Sequence, residues 1–223
     1  VISLTLDRIR HRYAHTDVLA DVSFAVECGT VLGCIGRNGS GKSTLLRIVA
    51  GLLVPTSGKV TLSCGGQTSD DPFTLRARSG YCAPALTLYD ELIVAEQIAF
   101  HCACRGLRES SEEIERLLDE SSLARYRSMR IGELSSGTVQ RLKLLLAFLG
   151  SPPLVVLDEP TTNLDGAGIE TLRTWIERAA AGAIVVVATN VPTELAWCTH
   201  LYDVERRIFS HASINARARA DQE

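Results

Sequence analysis

The sequence predicts an α/β fold: a mostly parallel sheet packed between helices, with an N-terminal antiparallel β-subdomain and a helical subdomain inserted at about residues 84–150. Three observations lead there. The runs Val31-Leu32-Gly33-Cys34-Ile35, Leu154-Val155-Val156-Leu157 and residues 183–189 are apolar almost throughout, as are strands of a parallel sheet covered on both faces. A glycine-rich turn joins the first of these runs to a helical pattern. Between residues 91 and about 120 the strand–helix alternation stops and the apolar period becomes helical.

Taken in order, Ser3-Leu4-Thr5-Leu6 and residues 18–26 read as strands, followed by the strand at 30–35. Thr44-Leu45-Leu46-Arg47-Ile48-Val49-Ala50-Gly51 reads as a helix ended by glycine. Pro55-Thr56-Ser57-Gly58 is a turn signal, Lys59-Val60-Thr61-Leu62 a short strand, and the polar, glycine-containing residues 63–74 read as a loop. In the middle block Ile93, Ile98 and Phe100, then Ile114, Leu117 and Leu118, supply apolar faces. Glu109-Ser110-Ser111-Glu112-Glu113 reads as a solvated helix start. The α/β pattern resumes with the strand at 154–157, a helix near 166–180 and the strand at 183–189. One functional domain is expected over 1–211, with 212–223 a polar, frayed or disordered tail whose arginines are solvated. There is no internal repeat.

A chain of 223 residues is within reach of one large α/β domain, and 46% hydrophobic residues are ample for a core. The net charge of −3 leaves no basic excess to neutralise nucleic-acid phosphates, so nucleic acid is not expected as a partner. The seven cysteines are odd in number and form no CxxC pair, which fits a reducing cytoplasm. Cys34 sits inside a strand run as a small apolar residue would; Cys102-Ala103-Cys104 has the look of a metal or redox pair, but its apolar setting favours core filling. No apolar stretch reaches the roughly 18 residues of a membrane span, and no signal peptide is visible. The sequence starts at Val1, without an initiator methionine, and any membrane-crossing element is expected on another chain.

Gly36-Arg37-Asn38-Gly39-Ser40-Gly41-Lys42-Ser43-Thr44 fits G-x-x-x-x-G-K-[ST], the phosphate-binding loop of nucleoside triphosphatases, and so points to a P-loop NTPase core. The chemistry explains the pattern. A strand, a glycine turn and a helix N-terminus aim successive backbone N–H groups at one point, and the helix dipole adds positive potential there. Glycines let the backbone approach phosphate without a Cβ in the way. Lys42 is placed to reach the β- and γ-phosphates of ATP and the Ser43 hydroxyl to ligate Mg²⁺. A glycine-rich loop with a chance match is the alternative, and the flanking strand and helix argue against it.

The strand at 154–157 ends in Asp158-Glu159-Pro160. A phosphate loop needs an acid at the end of a neighbouring strand to hold Mg²⁺ through water, and Asp158 suits that role. Glu159 points elsewhere at the same sheet edge, where it could polarise the water that attacks the γ-phosphorus. Two merely solvated acids are the alternative.

Leu134-Ser135-Ser136-Gly137-Thr138-Val139-Gln140-Arg141 lies between those two motifs. With them, it makes the chain closely resemble the ATP-binding subunit of ABC transporters, over about residues 3–210. The resemblance implies that Ser135 and Gly137 bind the γ-phosphate of ATP held by the opposite subunit. The physical reason is again a helix N-terminus, capped by Ser135. It implies further that Tyr13 stacks on adenine, although a core or surface tyrosine is an alternative. Within Thr162-Asn163-Leu164-Asp165, the resemblance makes Asp165 the main candidate for a contact across the dimer interface. Leu88-Tyr89-Asp90-Glu91-Leu92-Ile93-Val94 resembles the segment beside the groove for a transmembrane partner, and a surface-helix start explains it nearly as well. One nucleotide-binding unit per chain implies that two chains pair, as homodimer or heterodimer, on a transmembrane permease subunit at the cytoplasmic face of the membrane.

Two positions depart from the family pattern. Where the family places a glutamine at the junction into the helical subdomain, this sequence has Pro84, which offers no side-chain donor or acceptor. Where the family has a histidine after the strand at 183–189, this sequence has Asn190, which keeps an amide donor but cannot carry charge. Ser136 and Thr138 are smaller departures within the signature. Two functions follow: an ATPase that drives transport, expected to be export and turning over slowly, or an ATP-dependent dimer clamp with little hydrolysis. A soluble ATPase of DNA repair or translation is a third class, against which the absence of long coiled coils argues.

Overall fold

The computed structural model describes residues 2–108 and 110–212. Val1, Glu109 and all but the first residue of the expected polar tail lie outside the described residues. In chain order the strands are β1 (Ser3–Tyr13), β2 (Thr16–Glu27), β3 (Val31–Ile35), β4 (Ser57–Cys64), β5 (Gln67–Ser69), β6 (Ser79–Cys82), β7 (Leu154–Asp158), β8 (Ile184–Ala188), β9 (His200–Asp203) and β10 (Ile208–His211). The helices are α1 (Lys42–Val49), α2 (Pro72–Arg78), α3 (Val94–Arg105), α4 (Ser111–Glu120), α5 (Ser136–Phe148), α6 (Gly166–Ala180) and α7 (Pro192–Leu195).

Two sheets result. A four-stranded antiparallel sheet has the order β2-β1-β4-β5, and a six-stranded sheet the order β10-β9-β3-β8-β7-β6. In the larger sheet β9, β3, β8, β7 and β6 run parallel, and only the edge strand β10 is antiparallel. The pleat explains why its central strands show no polar alternation. Leu154 and Val156 of β7, with Ile184 and Val186 of β8, enter a core shared with the antiparallel sheet and α1. Val155 and Leu157, with Val185 and Val187, enter a second core against α3, α4, α5 and α6. Each face of the pleat has its own oily partner, so every position is apolar.

The pleat also places the chemistry. Asp158 follows Leu157 and so returns to the face of Val156, where α1 and the loop before it lie. All the parallel strands deliver their C-terminal ends to one edge of the sheet, the edge at which ligands of open α/β sheets bind.

Several expectations need correction. Residues 63–74 are not a loop: β4 continues to Cys64, turns through Gly65 and Gly66 (φ 61° and 79°), and returns as β5, with Cys64 paired to Gln67. Two consecutive positive φ values make the tight hairpin turn that matches strand twist. The polar composition hid this because the hairpin is an edge with few buried side chains. The helical stretch from 91 begins only at Val94, ends against Gly106, and is followed by the second helix expected after 109–113. Phe100 does not join the apolar face; it is 42% exposed and stands edge-on to exposed Tyr89, 5.3 Å away. Cys102 packs on the second core, but Cys104 is exposed and fills nothing. The elements α2, β6, β9, β10 and α7 carry too little periodicity to be read from sequence. No helix among the described residues is long and apolar enough to cross a membrane.

Candidate functional site

The loop of residues 36–41 leaves the end of β3 and enters α1 at its N-cap, Gly41. Gly41 has φ 99°, and a Cβ there would lie 2.9 Å from Val18 Cγ1 and 3.1 Å from the Val18 carbonyl oxygen. Any side chain would therefore be strained by conformation and by contact with β2. Lys42 is 6% exposed, and its Nζ donates to the carbonyls of Gly36 (2.5 Å) and Arg37 (3.1 Å). A buried ammonium held by carbonyls, with no carboxylate paired to it among the described residues, leaves its positive charge available to an anion. Ser40 N–H donates to the Arg37 carbonyl, and Arg37 N–H to the Glu205 carboxylate at 3.0 Å, which fixes the far side of the loop. The side-chain oxygen of Asn38 accepts from the Asn190 amide at 3.1 Å, tying the loop to the end of β8.

The Ser43 hydroxyl lies close enough to the carboxylate of Asp158, which is 5% exposed, to favour its charged form. Burial pushes the Asp158 carboxyl above its ordinary range; the Ser43 hydroxyl opposes that, and the charge of Glu159 adds to it. Glu159 itself is exposed and has φ 46°, the left-handed region that a glutamate rarely adopts. Its N–H donates to the Ala188 carbonyl of β8 at 2.9 Å. Strain of this kind persists where surrounding contacts over-determine it, and it concentrates at functional sites.

A cleft of about 330 Å³ opens at this point, lined by Tyr13, Val18, Asn38, Gly39, Gly41, Lys42, Ser43, Thr44 and Glu159. Tyr13 stands at its rim, 45% exposed and edge-on to His11. Gly36, Arg37 and Ser40 shape the loop behind it. Ser135, Gly137 and Asp165 lie elsewhere, in a second cleft of about 430 Å³ that also includes Arg141 and Asn163. Ser135 caps α5, accepting from Thr138 N–H at 3.3 Å. A Cβ on Gly137 would lie 2.7 Å from the Asn163 carbonyl oxygen, so the start of α5 sits directly on that loop. Asp165 caps α6 through Gly168 N–H at 2.8 Å and pairs with Arg141, and these two partners hold its carboxyl below the usual range. Pro84 is exposed just beyond β6, with its carbonyl accepting from Lys143 Nζ at 3.1 Å.

Sequence reasoning missed Glu205, Gln140, Thr161 and Glu194. Gln140, 4% exposed, donates to the Pro160 carbonyl at 2.8 Å and so holds the turn after Glu159. Its polarity inside an apolar helix was the available signal. Glu205 and Glu194 gave none, because each acts on a segment far away in sequence.

The first cleft can hold a phosphate chain: backbone N–H groups at a helix N-terminus, an ammonium, and small residues allowing close approach. The donor set fits Mg²⁺, since the Ser43 hydroxyl and the Asp158 carboxylate are hard oxygen ligands and leave most positions to phosphate and water.

The family model for ABC transporters matches residues 19–162. The ABC-type transporter ATP-binding protein EcsA of Bacillus subtilis is 32% identical over 80% of this chain and 73% of its own length. The probable multidrug ABC transporter ATP-binding protein YbhF of Escherichia coli is 33% identical over 85% of this chain and 32% of its own. The mouse ABC-type organic anion transporter ABCA8A is 37% identical over 66% of this chain, which spans only 9% of that protein. Among solved structures, an ATP-binding subunit of an ABC transporter superposes with a TM-score of 0.82 at 31% identity, over 93% of this chain and 89% of the other.

Proposed function

The chain belongs to the ABC transporter family, and from that premise we propose that it binds and hydrolyses ATP at a dimer interface to drive transport through a separate transmembrane permease subunit, at the cytoplasmic face of the membrane. The observation that carries this reading is the approach of the Ser43 hydroxyl to buried Asp158 beside the caged ammonium of Lys42. It joins the phosphate loop to the strand-end acid.

The N–H groups of residues 36–44 and Lys42 bind the phosphates, and Tyr13 at the rim stacks on adenine. Ser43 and Asp158 would hold Mg²⁺, which would neutralise phosphate charge. Glu159 orients and polarises the attacking water, and Asn190 donates its amide to the γ-phosphate. Ser135, Gly137 and Asp165 act on the nucleotide of a second ATP-binding subunit, identical or related. Two separate clefts on one chain support that assignment: residues 159–165 run from the first to the second. A two-fold pairing sets each first cleft against its partner's second. Export is the direction we favour, in line with the multidrug designation of the Escherichia coli relative. The net charge of −3 favours no nucleic-acid partner.

The test is Mg²⁺-dependent ATP hydrolysis by the purified chain, with Glu159→Gln as the blank. Turnover above the blank is expected. Lys42→Ala should abolish ATP binding by the single chain. Gly137→Ala should leave that binding intact and lower hydrolysis; if it weakens single-chain binding equally, the two clefts are not half-sites.

A second reading, an ATP-dependent dimer clamp paired with a more active subunit, is favoured by Asn190, whose amide is already engaged by Asn38. A missing charge-assisted bond is worth about 1.5–3 kcal/mol, or roughly ten- to a hundredfold in rate. Asn190→His is therefore expected to raise hydrolysis by about that factor. An unchanged or lower rate would show a site adapted around asparagine.

A further inference from the structure

We propose that Glu194 is a positioning residue for hydrolysis: buried between the C-terminal ends of β7 and β8, it pins the turn that carries Glu159. The inference rests on the reading of Glu159 as the group that polarises the attacking water.

Glu194 lies in α7 and is 1% exposed. A carboxylic acid that deep must be hydrogen-bonded, and its partners show what it holds. One oxygen accepts from the Thr161 hydroxyl, two residues beyond Glu159. The Thr189 hydroxyl, at the end of β8, lies close enough to the carboxyl to favour its charged form. The other oxygen, Oε2, has no partner among the described residues. One side chain thus ties α7 to the turn after β7, beside the end of β8.

The turn needs such a tie. Glu159 has φ 46°, and Thr162 N–H closes back on its carbonyl at 3.2 Å. Glu159 N–H on Ala188 and the Gln140 amide on the Pro160 carbonyl form the first tie of the turn, and Thr161 on Glu194 forms the second. With the second tie cut, the strained residue can relax toward ordinary φ and its carboxylate loses direction. The Glu159 side chain is exposed, and among the described residues no hydrogen bond or ion pair holds it. Burial pushes the Glu194 carboxyl above its ordinary range, and the charge of Glu159 adds to the effect.

The test uses the full chain with Glu194→Ala, Glu194→Gln, Thr161→Val and the Glu194→Ala/Thr161→Val double variant, each assayed for kcat, KM and ATP affinity. Glu194→Ala is expected to lower kcat by about ten- to a hundredfold, the cost of misplacing a reacting group by an ångström or less, with KM within about twofold. Glu194→Gln should restore most of kcat, because its amide oxygen accepts the Thr161 hydroxyl. The double variant should be no slower than Glu194→Ala, since both remove one tie. An unchanged kcat in Glu194→Ala, a glutamine variant as slow as the alanine one, additive losses, or an equal loss of ATP affinity would each overturn the proposal. If Glu194→Ala does not fold, Thr161→Val decides alone, and full kcat there overturns it. The Glu159→Gln control separates the two readings. If it is inactive while Glu194→Ala is fully active, only the Glu194 proposal falls; if it still hydrolyses ATP, the reading of Glu159 falls first.

Discussion

Glu159→Gln is expected to lower Mg²⁺-dependent ATP hydrolysis by about 10²–10⁴-fold while ATP still binds. The substitution keeps side-chain volume and an oxygen acceptor but removes the charge that we propose polarises water. The phosphate-binding apparatus is left alone: the nearest loop contacts belong to Lys42, Ser43 and Asp158, and Glu159 is tied to the fold through its backbone N–H on Ala188. Because those ties are unchanged, glutamine should be held in the same left-handed backbone conformation. Phosphate release in the steady state and nucleotide titration of the same preparation check both halves. A variant that keeps hydrolysing within a few-fold of the unaltered chain would move the catalytic role elsewhere; one that loses ATP binding would show Glu159 to be part of the binding cleft instead.

Gly80→Ala should produce the largest loss of stability from a single methyl group. A Cβ on Gly80 would lie 1.7 Å from the Ala147 carbonyl oxygen and 2.8 Å from its carbon. The obstacle is the backbone of α5, a helix with its last seven residues all buried, from Leu142 to Phe148. It cannot step aside without opening the second core. Overpacking against backbone is expected to cost about 3 kcal/mol or more, a fall in Tm of roughly 6 °C or more for a chain of this size. α5 also carries Ser135 and Gly137 at its start, so any displacement would disturb the second cleft. Gly182→Ala is the control: nothing lies within 4 Å of its Cβ, and the change should stay within about 0.5 kcal/mol. Thermal unfolding followed by circular dichroism checks both, and equal stability of the two variants would mean that β6 and α5 separate more easily than their contact implies.

The contrast between these glycines shows where sequence reading ends. Gly80 and Gly182 sit in equally plain surroundings in the sequence; only the approach of α5, more than sixty residues away, makes one irreplaceable. The strand β3, the helix α6 and the Ser135 cap were legible because their signals are local: an apolar run, a 3.6-residue period, a hydroxyl before a helix. The hairpin of β4 and β5 and the edge strands β6, β9 and β10 were not, because short strands earn their place by pairing rather than by pattern.

The same division runs through the site. The glycine-loop motif, the acid pair ending β7, the signature at the start of α5 and hence the family were legible in the chain alone, since each is a short stretch recognised by its own spacing. The packed chain alone shows that the candidate residues separate into two clefts, that Ser43 comes beside Asp158, that Asn190 leans on Asn38 and that Glu194 reaches Thr161. Those contacts join the ends of different strands, and the strand order β3-β8-β7 that brings them together is fixed by burial of two apolar faces over the whole sheet, which no local stretch of sequence contains.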